Sequence, residues 1–341
     1  MSASAGRSSS QRLRTWLQRG LPAVVSLGAL AWLLSTFDLR ALLASLDARV
    51  ALVMLPALVL YGAATLLIEA LSIRRLLEAP PPSFTIWMAA RIKCASYLLA
   101  VINYTLGGAG LAVLLRQRTG LSLGESAGVV LLIALTDLVL TLTFGSLGVV
   151  FARADVSTLI VGLLALGAAG IVFAQAGVSV LLVGFFAVVA AGIVFGVVIL
   201  RAPGSLGPIE RIRSLAVFAT LRRTPLARLL ELVLLRCLFS ACFISVSGAA
   251  FFAFGVEIGV PRLVGGMMAL AIVGALPIAV SGLGTGQVAA VYLFGDLAPA
   301  ETILAMSLVL SFGLLALRAL MGSVFAREFA RHALSAAREA A

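Results

Sequence analysis

The stretch GALPIAVSGLGTGQVAAV, Gly274 to Val291, decides how the chain is read. It lies in a run otherwise apolar enough for a membrane helix, yet it carries Pro277, Ser281, Gly282, Gly284, Thr285, Gly286 and Gln287. Proline removes a backbone donor and kinks a helix, and glycine permits positive φ and exposes its backbone. Pro277 to Gln287 therefore reads as an interruption and not as a regular span. Unpaired backbone at membrane depth is tolerated only against protein or a polar cavity. The freed amides of Gly282 to Gln287, at the start of a following half helix, suit an anion such as a lipid phosphate. Close helix packing through small residues accounts for the same glycines without a ligand.

Composition supplies the setting for that break. Of 341 residues, 62% are hydrophobic and 11% charged, and the mean hydropathy is +1.16, far from the roughly 25% charged residues of a soluble domain. Apolar runs long enough to cross the bilayer recur from Leu21 to Phe325, without the alternating polarity of strands. The fold class is an all-α polytopic membrane protein of about eight transmembrane helices, with Gly/Pro-broken, partly re-entrant segments that read as two related repeats. The longest polar connection, Arg201 to Leu229, is too short for a catalytic domain. The net charge of +11 comes from cations flanking the spans, which is a topology signal, so nucleic acid is not expected as a partner.

Metal and cofactor chemistry is not expected either. Cys94, Cys237 and Cys242 form no CxxC pair, and His332 stands alone in a basic tail. The inventory also lacks a paired carboxylate cluster or a histidine within the bilayer, so no catalytic residues are assigned.

The spans read as roughly Leu21 to Phe37, Val50 to Ile73, Thr85 to Asn103, Leu123 to Ala152, Ser157 to Ala174, Val178 to Leu200, Leu230 to Gly255 and Thr302 to Phe325. Residues 1–20 form a basic cytoplasmic start that reads as a retained signal anchor, 21–325 the transmembrane domain, 201–229 a basic cytoplasmic loop within it, and 326–341 a cytoplasmic tail. Pro208 to Arg228 in that loop suits an interfacial helix that holds anionic lipid. Keeping the arginine-rich start and the loop on one side requires Thr85 to Asn103 to cross fully. Leu263 to Phe294 is then re-entrant from the outer side, and eight crossings leave both ends inside an inner (plasma) membrane. Arg116 and Arg118 fall outside, which runs against the positive-inside rule. The two Gly-rich breaks, Asn103 to Gly120 and Ser281 to Gly295, each follow an apolar helix and precede a shorter one, the arrangement of an internal repeat.

Ionisable groups within spans mark function or pairing, because a charge near the bilayer centre is costly. Glu69, Asp137, Arg236 and Arg318 qualify. Asp137 and Arg318 lie well inside their spans, so they either pair or line a shared polar path. Glu69 and Arg236 are closer to their ends, where snorkelling explains them. At the first break, Asn103, Tyr104 and Thr105, with Gly110, Arg116 and Arg118, are candidates to meet a headgroup, as are Pro277, Ser281, Gly282, Gly284, Thr285 and Gln287 at the second.

The run RIKCASYLLAVINYTLGGAGLAVLLRQRTGLSLGESAGVVLLIALTDLVL, with ALPIAVSGLGTGQVAAVYLFG and SLVLSFGLLALRALMG, resembles the transmembrane region of lysylphosphatidylglycerol synthases, which also occurs alone in flippase-like membrane proteins. The likeness covers about Gly20 to Phe325. The family's first break reads Asn, Pro, then Gly-Glu and a nearby Arg. Asn103 and Gly110 match, while Gly107, Leu111 and Val113 stand where Pro, Glu and Arg are usual. At the second break Pro277, Gly282, Leu283 and Gly284 match, Ser281 replaces a glycine, and Gly286 and Gln287 replace an Arg-Glu pair. Asp137 and Arg318 match positions where the family often has the same residues.

What the resemblance implies is movement of a lipid between leaflets, with membrane lipids as partners. The lost charges favour an anionic or neutral headgroup over a cationic aminoacylated one. Aminoacyl transfer in the full-length synthases belongs to a cytoplasmic domain after this region, so that activity is expected to be absent from a chain ending at Ala341. A non-catalytic membrane partner of an envelope lipid or glycan pathway is the alternative, ahead of a membrane-embedded lipid-modifying enzyme. With a glutamate expected at its position, Gln287 would meet a headgroup through a neutral amide, and Gln287→Glu would shift selectivity toward cationic lipids.

Overall fold

The computed structural model describes residues 47–77, 81–102, 104–152, 192, 215, 218–275 and 284–339. Among them are nine helices and no strand: α1 (Ala48–Leu76), α2 (Ile86–Ile102), α3 (Tyr104–Thr119), α4 (Leu123–Ala152), α5 (Ala219–Arg223), α6 (Leu226–Ala253), α7 (Val260–Ala275), α8 (Thr285–Phe294) and α9 (Ala300–Glu339). Of these, α1, α4, α6 and α9 are long and apolar enough to cross a membrane. The spans expected at Leu21 to Phe37, Ser157 to Ala174 and Val178 to Leu200 lie outside the described residues, as do the N-terminal anchor and most of the 201–229 loop. The described part of that loop includes the single helical turn α5.

Helices α1 and α6 run antiparallel along their length, pinned at both ends. At one end the Asp47 carboxylate caps α1 by accepting from the Val50 amide at 2.9 Å. There Arg49 donates to the Phe252 carbonyl and stacks over its ring. At the other end Arg228 donates to the Leu77 carbonyl, and Arg75 faces Glu231 at 3.6 Å. This second end also holds Arg74, Arg222 and Arg223, and is the basic end of the bundle.

Between α1 and α4 the chain makes a hairpin and not a crossing. A Cβ on Gly107 in α3 would lie 2.5 Å from the Ala100 Cβ in α2, and one on Gly110 would lie 2.4 Å from Leu99 Cδ1. A continuous helix places such residues about 10 Å or more apart, so the chain folds back around residue 103. Both open ends of the hairpin sit at the basic end. Phe84 and Leu115 share a buried cluster with Leu77, Leu221 and Leu232, and Glu125, just past the hairpin, pairs with Arg223 at 3.1 Å. The tip stops partway along α9: Gly322 of α9 packs against Leu98 and Cys94, one turn of helix before Ile102.

Thr85 to Asn103 was expected to cross fully, with Arg116 and Arg118 beyond it; instead the chain folds back here and returns to the end it came from. From Ala48 to Ala152 the chain crosses twice. The two arms have 17 and 16 residues, and the small residues that marked the break are the seam along which the arms touch. The correction also moves Arg116 and Arg118 to the basic end, beside Arg222 and Arg223, which removes the conflict with the positive-inside rule.

The second hairpin enters from the opposite end, as the break at Pro277 predicts. Arg262 near the start of α7 donates to the Leu293 carbonyl at 3.1 Å and to the Asp296 carboxylate, both at the end of α8. That contact holds the exposed Asp296 carboxyl below the usual range. Gly266 gives the Phe294 ring room to enter, and the ring meets Phe251 edge-on at 5.0 Å. The units α1–α2–α3–α4 and α6–α7–α8–α9 thus share one plan, a long helix, a half-crossing hairpin and a long helix, in opposite orientations. Each hairpin leans on the other unit's last helix. Gly322 of α9 receives α2, and Gly145 of α4 receives Met268 and Ile272 of α7. This is an inverted repeat.

Cysteines placed by Arg116→Cys and Arg223→Cys in a cysteine-free background should label from the same side of a sealed vesicle, and Asp296→Cys from the other. Labelling of positions 116 and 223 from opposite sides would break the hairpin. Gly107→Ala should cost about 1–3 kcal/mol through overpacking against Ala100. Gly108→Ala, which meets only Val130 Cγ1 at 3.5 Å, should melt in detergent near the wild-type temperature.

Candidate functional site

The polar centre of the bundle is built on Arg236. It lies ten residues into α6 and has no exposed surface. Its guanidinium reaches Glu69 Oε1 of α1 at 3.3 Å and Asp137 Oδ2 of α4 at 3.4 Å, and donates to Ser72 Oγ at 2.8 Å. Glu69 Oε1 also meets Lys93 Nζ of α2 at 3.1 Å. Four helices therefore contribute two cations and two carboxylates to one charge-balanced cluster. The cations also lie over rings, Arg236 at 4.9 Å from the centre of Phe239 and Lys93 at 5.6 Å from that of Tyr97.

Helical geometry explains the convergence. Glu69 and Ser72 are three residues apart and so share a face of α1, the face turned to α6. Ser72 also donates to the Ile68 carbonyl at 2.7 Å, which anchors its side chain. Not every polar atom is satisfied: Glu69 Oε2, Asp137 Oδ1 and Arg236 Nε are buried without a hydrogen-bond partner. The cluster therefore keeps unused acceptor and donor capacity at membrane depth.

Snorkelling is thus wrong for Glu69 and Arg236. Both are buried, at 5% and 0% exposure, and point inward because opposite charges are there to meet them. Asp137 pairs with Arg236 and not with Arg318. Arg318 lies elsewhere, half-buried on α9, with its guanidinium at the Tyr61 hydroxyl and within electrostatic reach of Tyr97.

The second break has a different character. Gly284 takes φ +86°, in the left-handed region that glycine allows. Gln287 is fully buried, its Oε1 accepting from the Gly284 amide at 2.6 Å and its Nε2 donating to Ser311 Oγ of α9 at 3.1 Å. Both ends of the amide are used, so Gln287 closes the start of α8 and ties it to α9 and offers nothing to a headgroup. Thr285 Oγ1 is buried and without a hydrogen-bond partner. Asn103, Pro277, Ser281 and Gly282 lie outside the described residues. Gly110 is a packing residue against Leu99, and Arg116 is exposed at the basic end, next to buried Leu115.

Sequence reasoning missed Lys93, Ser72, Tyr61 and Tyr97. Lys93 carried a usable signal, as the sole lysine of the chain set within an apolar helix. Among the described residues, no group of three His, Cys, Asp or Glu side chains is placed to hold a metal ion.

Removing the guanidinium alone should be severe. Arg236→Met leaves two carboxylates buried without their partner and should cost about 3–5 kcal/mol, whereas adding Glu69→Gln and Asp137→Asn should recover most of it. Thermal unfolding in detergent reads both, and a single variant as stable as the triple one would remove Arg236 from the centre of the cluster. Gln287→Ala should cost about 1–2 kcal/mol through the lost cap. Gln287→Glu should likewise lower the melting temperature, with no change in headgroup selectivity.

No curated protein and no solved structure shows significant similarity to this chain. The family model for the lysylphosphatidylglycerol synthase TM region matches residues 21–322, which takes in both halves of the inverted repeat and all four cluster helices. The chain belongs to the lysylphosphatidylglycerol synthase transmembrane family.

Proposed function

We propose that the chain moves a phospholipid or other polar lipid between leaflets, in the manner of a flippase or scramblase, along a groove lined by the two hairpins. The observation that carries this reading is the pair of half-crossing hairpins entering from opposite ends. Hairpins that end inside the bilayer bring backbone and polar side chains to a depth where lipid offers them no partner. In transporters built on inverted repeats, such broken elements flank the site at the midplane. A headgroup passing there would meet Thr285 and the charged cluster, while its acyl chains stay in lipid.

The basic end, with Arg74, Arg75, Arg116, Arg222 and Arg223, faces the cytoplasm in this reading, and the membrane is the plasma membrane. The protein acts without catalysing a covalent step. The sequence contains no GxxxxGK[ST] nucleotide motif, so movement is downhill or coupled to an ion or the membrane potential. Asp137, with its free oxygen, is the counter-ion or proton site.

Liposomes containing the purified chain and a headgroup-labelled fluorescent lipid test the reading. An impermeant reductant should bleach the inner-leaflet label as well as the outer one. Bleaching that stops at the outer-leaflet fraction, as in protein-free vesicles, would refute transport.

A further inference from the structure

The charged cluster is balanced, but the bundle interior is not. Lys93 and Arg236 are matched by Glu69 and Asp137. Arg318 has no carboxylate within ion-pair distance among the described residues. The other acidic side chains described, Asp47, Glu125, Glu231, Glu257, Asp296 and Glu301, all lie at or near helix ends.

Snorkelling does not account for Arg318. Gly62 of α1 packs against Leu317, and Gly313 of α9 against Leu58, which sets Arg318 level with Tyr61. Tyr61 lies thirteen residues from Ala48 and fifteen from Leu76, at the middle of a crossing helix. The guanidinium lies within reach of the Tyr61 hydroxyl. The tip of the first hairpin ends near this level, since Leu98 meets Gly322 one turn away. Unlike Arg236, Arg318 keeps exposed surface, so a ligand can reach it.

An uncompensated cation near the bilayer centre is costly; the Tyr61 hydroxyl beside it and the Tyr97 hydroxyl within its electrostatic reach add donors. Such a set suits an oxyanion: the guanidinium fork takes two phosphate oxygens, and a hydroxyl takes a third contact. We propose that Arg318, with Tyr61 and Tyr97, forms an anion subsite for a singly charged phosphate group, the phosphodiester of an anionic lipid. The subsite rests on the transport reading and adds to it the chemistry of the cargo. It also sets an order of preference, in which a lipid with net negative charge binds before a zwitterionic one.

The test uses the full chain in nanodiscs of equal parts phosphatidylglycerol and phosphatidylcholine, with retained lipids counted by native mass spectrometry. The wild type should retain phosphatidylglycerol over phosphatidylcholine by about tenfold, the factor that about 1.4 kcal/mol represents. Arg318→Gln should bring the ratio near unity, and Arg318→Lys, which keeps charge but loses the fork, should fall between. The Tyr61→Phe and Tyr97→Phe double variant, which preserves packing, should lower the preference severalfold and carries the test if Arg318→Gln does not fold. Added inorganic phosphate that leaves the ratio unchanged assigns the site to lipid. Phosphate that displaces the lipid keeps the anion chemistry and overturns the lipid as its source. Equal retention by the wild type, or a folded Arg318→Gln or double variant with wild-type preference, overturns the subsite. A wild type that moves label between leaflets yet shows no preference removes the subsite and leaves transport standing. A preference without movement does the reverse.

Discussion

A guanidinium with no exposed surface, held inside a membrane bundle at Arg236, constrains everything around it. Placing one such charge at the centre of a span costs roughly 3 kcal/mol on insertion scales, and only nearby anions and hydrogen-bond acceptors offset it. Glu69, Asp137 and Ser72 supply them from two other helices, and Lys93 balances the excess negative charge from a fourth. The rotation of α1, α4 and α6 about their own axes is fixed by this need, because turning any of them by a residue or two would leave an unpaired charge in hydrocarbon. Apolar contacts alone could not do this, since lipid tails are as good a neighbour for leucine as another helix is.

Close approach completes what the charges begin. Gly107, Gly266, Gly313 and Gly322 each sit where an added Cβ would fall within 3 Å of a neighbouring side chain. Without a hydrophobic driving force between helices, such seams are where dispersion gains are made. The equivalent positions of Gly145 and Gly322 show the inverted repeat at the level of single residues. Its two hairpins are unequal, however: α3 has 16 residues and α8 only 10.

Legibility in the sequence followed physical lines. Pro277 and the glycines after it announced the second hairpin, because proline in an apolar run has few other structural outcomes. The first hairpin has no proline at its turn, and the length of α2 is ambiguous between a short crossing and a long arm. Its glycines read as a break when they are a contact seam. Asp137 stood out by being far from both ends of α4. Glu69 and Arg236 did not, since distance from a helix end says nothing of the direction a side chain takes. The pairing of Asp137 with Arg236 joins positions 99 residues apart, and sequence periodicity carries no information over that distance. Gln287 caps α8 and reaches Ser311, and in a sequence such a cap and a ligand-binding amide have the same spelling.

The division of the charges between the two halves of the chain has a consequence for biosynthesis. Glu69 and Lys93 leave the ribosome close together and can neutralise each other early. Asp137 emerges 99 residues ahead of its partner, a delay of roughly 5–20 seconds at ordinary elongation rates. During that interval the first repeat carries a carboxylate with no counter-charge in its own sequence neighbourhood. The first repeat is therefore electrically unfinished as a membrane domain until α6 arrives with Arg236. A chain truncated before Leu226 would carry this exposed acid as a mark by which membrane quality control can tell it from a complete one.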